Sequence, residues 1–198
     1  MIAVIDYGAG NLFSVKNALD YLGLECIVTN KAEDLIKADR IILPGVGAFP
    51  DAMRMLSETG LIATIKEQAE KKPLLGICLG MQMLFEKGYE FGETEGLGFI
   101  KGSVKLMTPD NLVVPQMGWN ELIMNKECPI LKGIGEKPYV YFVHSYAAEC
   151  GSEDVAAYTD YGGRVTACVM KGNVYGCQFH PEKSGEAGLQ ILRNFASL

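Results

Sequence analysis

Short apolar runs alternate with amphipathic helical segments through the first eighty residues, and this alternation limits the chain to a few architectures. Ile2-Ala3-Val4-Ile5, Cys26-Ile27-Val28, Ile41-Ile42-Leu43 and Leu74-Leu75-Gly76-Ile77 read as buried strands. Between them, Leu12 to Leu22 carries apolar residues at helical spacing and closes at Gly23, Ala32 to Ala38 reads as a short helix, and Asp51 to Ala69 as two helical pieces broken near Gly60. Repeated βα order implies a parallel sheet with helices on both faces, and functional groups should then gather at the carboxyl ends of its strands.

From about Gly98 the pattern turns β-rich, with Ser103 to Met107, Trp119 to Met124, Tyr139 to Ala148 and Val165 to Met170 as strand segments. Asp160-Tyr161-Gly162-Gly163 and Lys171-Gly172-Asn173 read as turns, and Ala187 to Ala196 as a closing helix. With no linker, repeat or low-complexity tract, residues 1–198 are expected to form one domain. Hydrophobic residues make up 48% and charged residues 21%, a globular balance with no apolar stretch of membrane-spanning length. The net charge of -6 and the lack of a Lys/Arg block argue against nucleic acid as a partner. The opening residues enter a strand without a basic leader, so the cytoplasm is the expected location, and six cysteines without CxxC spacing are expected to be reduced thiols.

The most informative run is Pro73-Leu74-Leu75-Gly76-Ile77-Cys78-Leu79-Gly80-Met81-Gln82: a strand, then Gly-x-Cys-x-Gly, then a helix predicted to continue through Phe85. Glycines on both sides of a nucleophile relieve crowding at a strained strand-to-helix turn, and a helix N-terminus favours thiolate. On its own the pattern also fits a buried cysteine between two packing glycines. A second segment, Val174 to Glu182, is an apolar strand that ends in His180, Pro181 and Glu182. Histidine is the usual partner for a nucleophilic cysteine, and a carboxylate fixes the ring's tautomer and direction. With two histidines in the chain, an ordinary surface imidazole is the competing reading. Third, Leu43-Pro44-Gly45-Val46-Gly47-Ala48 is a glycine-rich loop between a strand and a helix. It lacks the P-loop and dinucleotide signatures, so an oxyanion hole built near Val46 and Gly47, with the N–H of Leu79, fits better than a phosphate cradle.

These three pieces, in this order, resemble the class I glutamine amidotransferases over nearly the whole chain. The runs Asp6-Tyr7-Gly8-Ala9-Gly10-Asn11, Met117-Gly118-Trp119-Asn120, Phe142-Val143-His144-Ser145-Tyr146 and Gln178-Phe179-His180-Pro181-Glu182-Lys183-Ser184 carry the likeness further. The family implies a flavodoxin-like three-layer α/β fold: a mixed, mostly parallel central sheet, helices on both faces and a small antiparallel β extension. It implies a Cys78, His180, Glu182 triad that releases ammonia from glutamine, with Gly45, Gly47, Gln82, Ser145 and Tyr146 at the glutamine. No metal or cofactor enters this reading. Asn11, Trp119, Tyr141 and Lys183 match positions at or near a partner interface, although Trp119 also reads as a core aromatic and Lys183 as a solvated charge. The implied partner is a (β/α)8-barrel cyclase in a heterodimer. His144, at the end of an apolar strand, is expected to be a packed, hydrogen-bonded residue. The rival readings are a glutaminase serving another synthase, a thiol hydrolase or peptidase, and a flavodoxin-like phosphate-binding module.

Overall fold

The computed structural model describes all residues from Met1 to Leu198. In chain order the elements are β1 (Ile2–Ile5), α1 (Leu12–Tyr21), β2 (Cys26–Thr29), α2 (Ala32–Lys37), β3 (Arg40–Gly45), α3 (Phe49–Glu58), α4 (Ile62–Ala69), β4 (Leu74–Cys78) and α5 (Leu79–Gln82). There follow β5 (Phe85–Gly88), β6 (Thr94–Glu95), β7 (Ile100–Leu106), β8 (Gln116–Glu121), β9 (Ile123–Met124), β10 (Tyr139–His144), β11 (Tyr146–Glu149), β12 (Val155–Asp160), β13 (Arg164–Lys171), β14 (Val174–Cys177) and α6 (Gly185–Ala196).

The central sheet has eight strands in the order β2-β1-β3-β4-β14-β13-β12-β9. Its first five are mutually parallel, and β13, β12 and β9 extend it in antiparallel fashion. Side chains alternate across each strand, so the sheet divides the core in two. Ile2, Val4, Leu75, Ile77 and Tyr175 face α1 and α6, packing with Val15, Leu19, Ile191 and Phe195. Ala3, Ile5, Ile41, Leu43 and Leu74 face the other helices, packing with Leu35, Phe49, Leu56 and Ile65. Each fully buried Leu, Ile or Phe contributes roughly 1.5–3 kcal/mol of transfer free energy. The layering is the one the resemblance implies. No helix is long and apolar enough to cross a membrane.

The helix predicted to run from Cys78 through Phe85 is a single turn, Leu79 to Gln82. The chain leaves it because the carbonyls of Met83, Leu84 and Phe85 accept the N–H groups of Leu97, Gly98, Phe99 and Ile100, which turns Phe85 to Gly88 into a strand beside β7. Likewise, Tyr139 to Ala148 is two strands in different sheets, β10 paired with β8 and β11 paired with β7, parting at Ser145. The two predicted turns join β12 to β13 and β13 to β14.

Candidate active site

Parallel pairing fixes where the site must form. Because β3, β4 and β14 run side by side in one direction, with Gly45 opposite Cys78 and Cys177 opposite Ile77, their carboxyl ends bring the 45–47 loop, Cys78 and the His180 segment to one edge. A cavity of about 450 Å³ opens there, and Val46, Gly47, Cys78, Leu79, Gln82 and His180 are in its wall.

Cys78 sits at the junction of β4 and α5 with φ 54° and ψ -112°, a backbone conformation costly for a residue with a Cβ. The packing around it holds it there. Gly80 presses α5 so closely onto β3 that a Cβ would lie 1.9 Å from the Leu43 carbonyl oxygen. Leu79 opens the helical turn, a position whose N–H has no acceptor within the helix. The Cys78 thiol donates to the Val143 carbonyl at 4.0 Å and receives the Gln178 amide at 3.9 Å.

His180 follows β14, and its backbone is tied to β10. Its N–H donates to the Tyr141 carbonyl at 3.0 Å, while Ser184 Oγ donates to the His180 carbonyl at 2.6 Å and receives the Tyr141 N–H at 3.0 Å. The ring Nδ1–H donates to Glu182 Oε1 at 2.7 Å, and both side chains are shut away from solvent. Burial alone would lower the His180 pKa. The Cys78 sulfur and the Glu182 carboxylate overcome it through hydrogen bonding and charge, and the ring is pushed up to about 9. Glu182 lies behind the ring, oriented as the third member of a Cys, His, carboxylate chain.

Of the expected glutamine contacts, Gly47, Gln82, Ser145 and Tyr146 line the cavity and Gly45 does not. Gly45 is the last residue of β3, and a Cβ there would meet Gly80 N at 2.6 Å and the Tyr7 hydroxyl at 2.9 Å, so it is glycine for packing. Gln82 spends its amide N–H groups on the Tyr146 carbonyl at 2.9 Å and Gln178 Oε1 at 3.0 Å, which leaves its carbonyl oxygen to offer a ligand. His144 is packed and hydrogen-bonded, as the sequence suggests, and it also lines the cavity. Glu90 and Pro115 line it too and went unnoticed in the sequence, where no local pattern marks either. Glu90 Oε2 receives the Phe49 N–H at 2.7 Å, and Glu90 is the one carboxylate residue in the wall, suited to an ammonium group.

Asn11, Trp119, Tyr141 and Lys183 lie outside the cavity. Trp119 and Tyr141 are cross-strand partners with ring centroids 6.0 Å apart, and Trp119 is half exposed rather than core. Asn11 caps α1 through Oδ1 to the Ser14 N–H at 3.3 Å, and Lys183 is exposed on the 3-10 turn after His180.

The chain matches the family described as Glutamine amidotransferase class-I over residues 3–197. It belongs to that family. The subunit HisH of imidazole glycerol phosphate synthase from Caldanaerobacter subterraneus subsp. tengcongensis is 52% identical over 200 residues, covering 100% of this chain and 98% of that protein. The protein of the same name from Bacillus cereus is 52% identical over 196 residues, covering 98% of this chain and 93% of its own. Among solved structures, one described as a glutamine amidotransferase superposes with a TM-score of 0.77 at 22% identity over all of both chains. The PurLQS structure from Thermotoga maritima gives 0.77 at 22% identity, covering 99% of this chain and 97% of that one. At such identities these two establish the fold, and family membership makes the chain a glutamine amidotransferase.

Proposed function

We propose that this single-domain chain is the glutaminase subunit of a cytoplasmic imidazole glycerol phosphate synthase and that Cys78, His180 and Glu182 carry its chemistry. The observation that carries the reading is the meeting of Cys78 and a Glu182-bound His180 in the wall of one cavity sized for an amino acid. In this mechanism the Cys78 sulfur attacks the side-chain carbonyl of glutamine, and the N–H groups near Val46, Gly47 and Leu79 stabilise the oxyanion. His180, held as imidazolium, gives its proton to the departing nitrogen as the C–N bond breaks, and ammonia leaves. Water, deprotonated by His180, then cleaves the γ-glutamyl thioester to glutamate and free thiol. Glu90 suits the α-ammonium group of the substrate.

Ammonia released into neutral water becomes mostly ammonium, which is no nucleophile, so it must pass directly to an acceptor site on another chain. The names of the relatives at 52% identity favour a (β/α)8-barrel cyclase as that partner over the synthase of a different class I amidotransferase. One face of the β8–β10 ribbon supports a docking role: Met117, Trp119 and Tyr139 are exposed there at 62%, 51% and 53%, and Val143 continues the strand into the cavity wall. Asn11, Tyr141 and Lys183 belong to the same proposed interface.

The test is glutamate release from glutamine by the purified chain, alone and mixed with a barrel cyclase. Cys78→Ala should abolish it in both cases; residual turnover by this variant would refute the triad. Stimulation by the cyclase supports the synthase assignment, and its absence favours a glutaminase serving another enzyme.

A further inference from the structure

The proposed oxyanion hole has two halves on different elements, the 45–47 loop at the end of β3 and the N–H of Leu79 at the start of α5, and it works only if both aim their donors at one point. The halves meet at Gly45, where a Cβ would lie 2.6 Å from Gly80 N and 3.0 Å from Leu79 Cβ. A third group closes on the same spot. The Tyr7 hydroxyl would lie 2.9 Å from that Cβ, and it arrives from the β1 side of β3, whereas Leu79 and Gly80 arrive from the β4 side.

The β3 backbone leaves a place for this hydroxyl. The β1–β3 ladder ends at the Val4–Ile42 pair, two residues short of Pro44, and proline has no N–H of its own. Tyr7 is buried just past the end of β1; its OH donates to the Pro44 carbonyl at 2.9 Å and lies 3.7 Å from Met83 Sδ at the end of α5. Burial, and then the Cys78 sulfur, hold the phenol pKa well above its usual value, so the hydroxyl keeps its proton and remains a donor. A peptide unit is planar, so fixing the Pro44 carbonyl also fixes the Gly45 N–H and sets the direction in which the chain enters Gly45-Val46-Gly47. The outer part of the loop has no such support. Val46 is half-exposed, and Gly47, with φ 102°, stands where a Cβ would meet nothing within 4 Å. The aim of the loop therefore depends on its inner end.

We propose that Tyr7 is a positioning residue for the oxyanion hole: its hydroxyl anchors the inner end of the 45–47 loop against α5, so that the loop's N–H groups and that of Leu79 face the same oxygen. The inference rests on the glutaminase reading above. Tyr7 lines no part of the cavity, so it acts through Pro44 and Gly45 rather than on the substrate.

The test uses the full chain, alone and with the barrel cyclase, and separates oxyanion formation from the other demands on the site. Glutamine hydrolysis passes through a tetrahedral oxyanion. Alkylation of Cys78 by iodoacetamide, a direct displacement of iodide by sulfur, does not, and Cys78→Ala supplies the background from the other cysteines. Tyr7→Phe keeps the ring and removes the hydroxyl. It should lower kcat for glutamine about tenfold, short of the roughly 10²–10³-fold that deleting an oxyanion donor costs, and leave KM and the Cys78 alkylation rate within about twofold. A change in KM or in alkylation as large as that in kcat would mean that the hydroxyl serves the nucleophile, the pocket or the fold as a whole, and an unchanged kcat would mean that the loop needs no anchor; each result overturns the proposal. Failure of the unsubstituted chain to release glutamate, alone and with the cyclase, would strike the glutaminase reading itself, and it is recognised without any variant.

Discussion

The charge state of a single ring sets the pH range in which the proposed chemistry runs. His180 is raised from 6.5 to about 9 against the effect of its burial, with the Cys78 sulfur as the larger aid and Glu182 as the second. Its folded pKa is above its unfolded one, so the pairing contributes stability that is fully present below about pH 6.5 and is lost as the pH rises through about 9. Glu182→Gln removes the carboxylate charge, so the ring titrates lower and the alkaline limb of glutamate release should move down by about one pH unit or more, with kcat reduced on the order of 10³-fold. The unfolding midpoint should differ most between variant and parent near pH 6.5 and converge above pH 9. A pH profile with an unmoved alkaline limb would show that Glu182 does not act on His180. At this scale the three members of the proposed triad are legible because each sits in a local pattern: Cys78 between glycines, His180 and Glu182 two residues apart after a strand. Glu90 and Pro115 are not, because long-range folding alone brings them to the cavity.

Whether an element forms where its sequence suggests depends on who claims its backbone. The strands of the first half were readable because burial on both faces demands continuous apolar runs. The segment after Cys78 makes one helical turn instead of the longer helix expected, because its spacing says nothing of residues 97–100, whose N–H groups bond the carbonyls of Met83, Leu84 and Phe85 and draw the chain into β5. The glycines of Gly-x-Cys-x-Gly are tight packing positions, and that packing holds the strained backbone of Cys78 in place. Gly80 measures that coupling. Gly80→Ala puts a methyl 1.9 Å from the Leu43 carbonyl oxygen, a backbone atom with little room to retreat, so α5 must lift off β3. The expected cost is about 3 kcal/mol or more, read as a lower urea midpoint, together with loss of glutaminase activity as Cys78 and Leu79 shift. Retained stability would mean that α5 is not clamped where the packing places it.

At the scale of the whole molecule, two unlike surfaces meet at one ribbon. The inner face of β8 and β10 is buried through Val140, Phe142, Gln116 and His144, and it backs the cavity. The outer face shows Met117, Trp119 and Tyr139 to solvent, an aromatic-rich patch where an isolated chain gains nothing from it. Trp and Tyr are the side chains that most often dominate binding energy at the centre of an interface. A partner seated there would touch the same strands that carry Val143 and His144, which gives docking a short physical path to Cys78, whose thiol bonds the Val143 carbonyl. Truncating Trp119 to alanine should therefore weaken association with the barrel cyclase by about 2 kcal/mol, roughly a 30-fold rise in Kd by calorimetry. Because the side chain is half exposed, thermal unfolding of the isolated variant should stay within about 2 °C of the parent. An unchanged Kd would move the docking face off the ribbon. A large drop in thermal stability would make Trp119 part of the fold, which is the role its sequence alone left open.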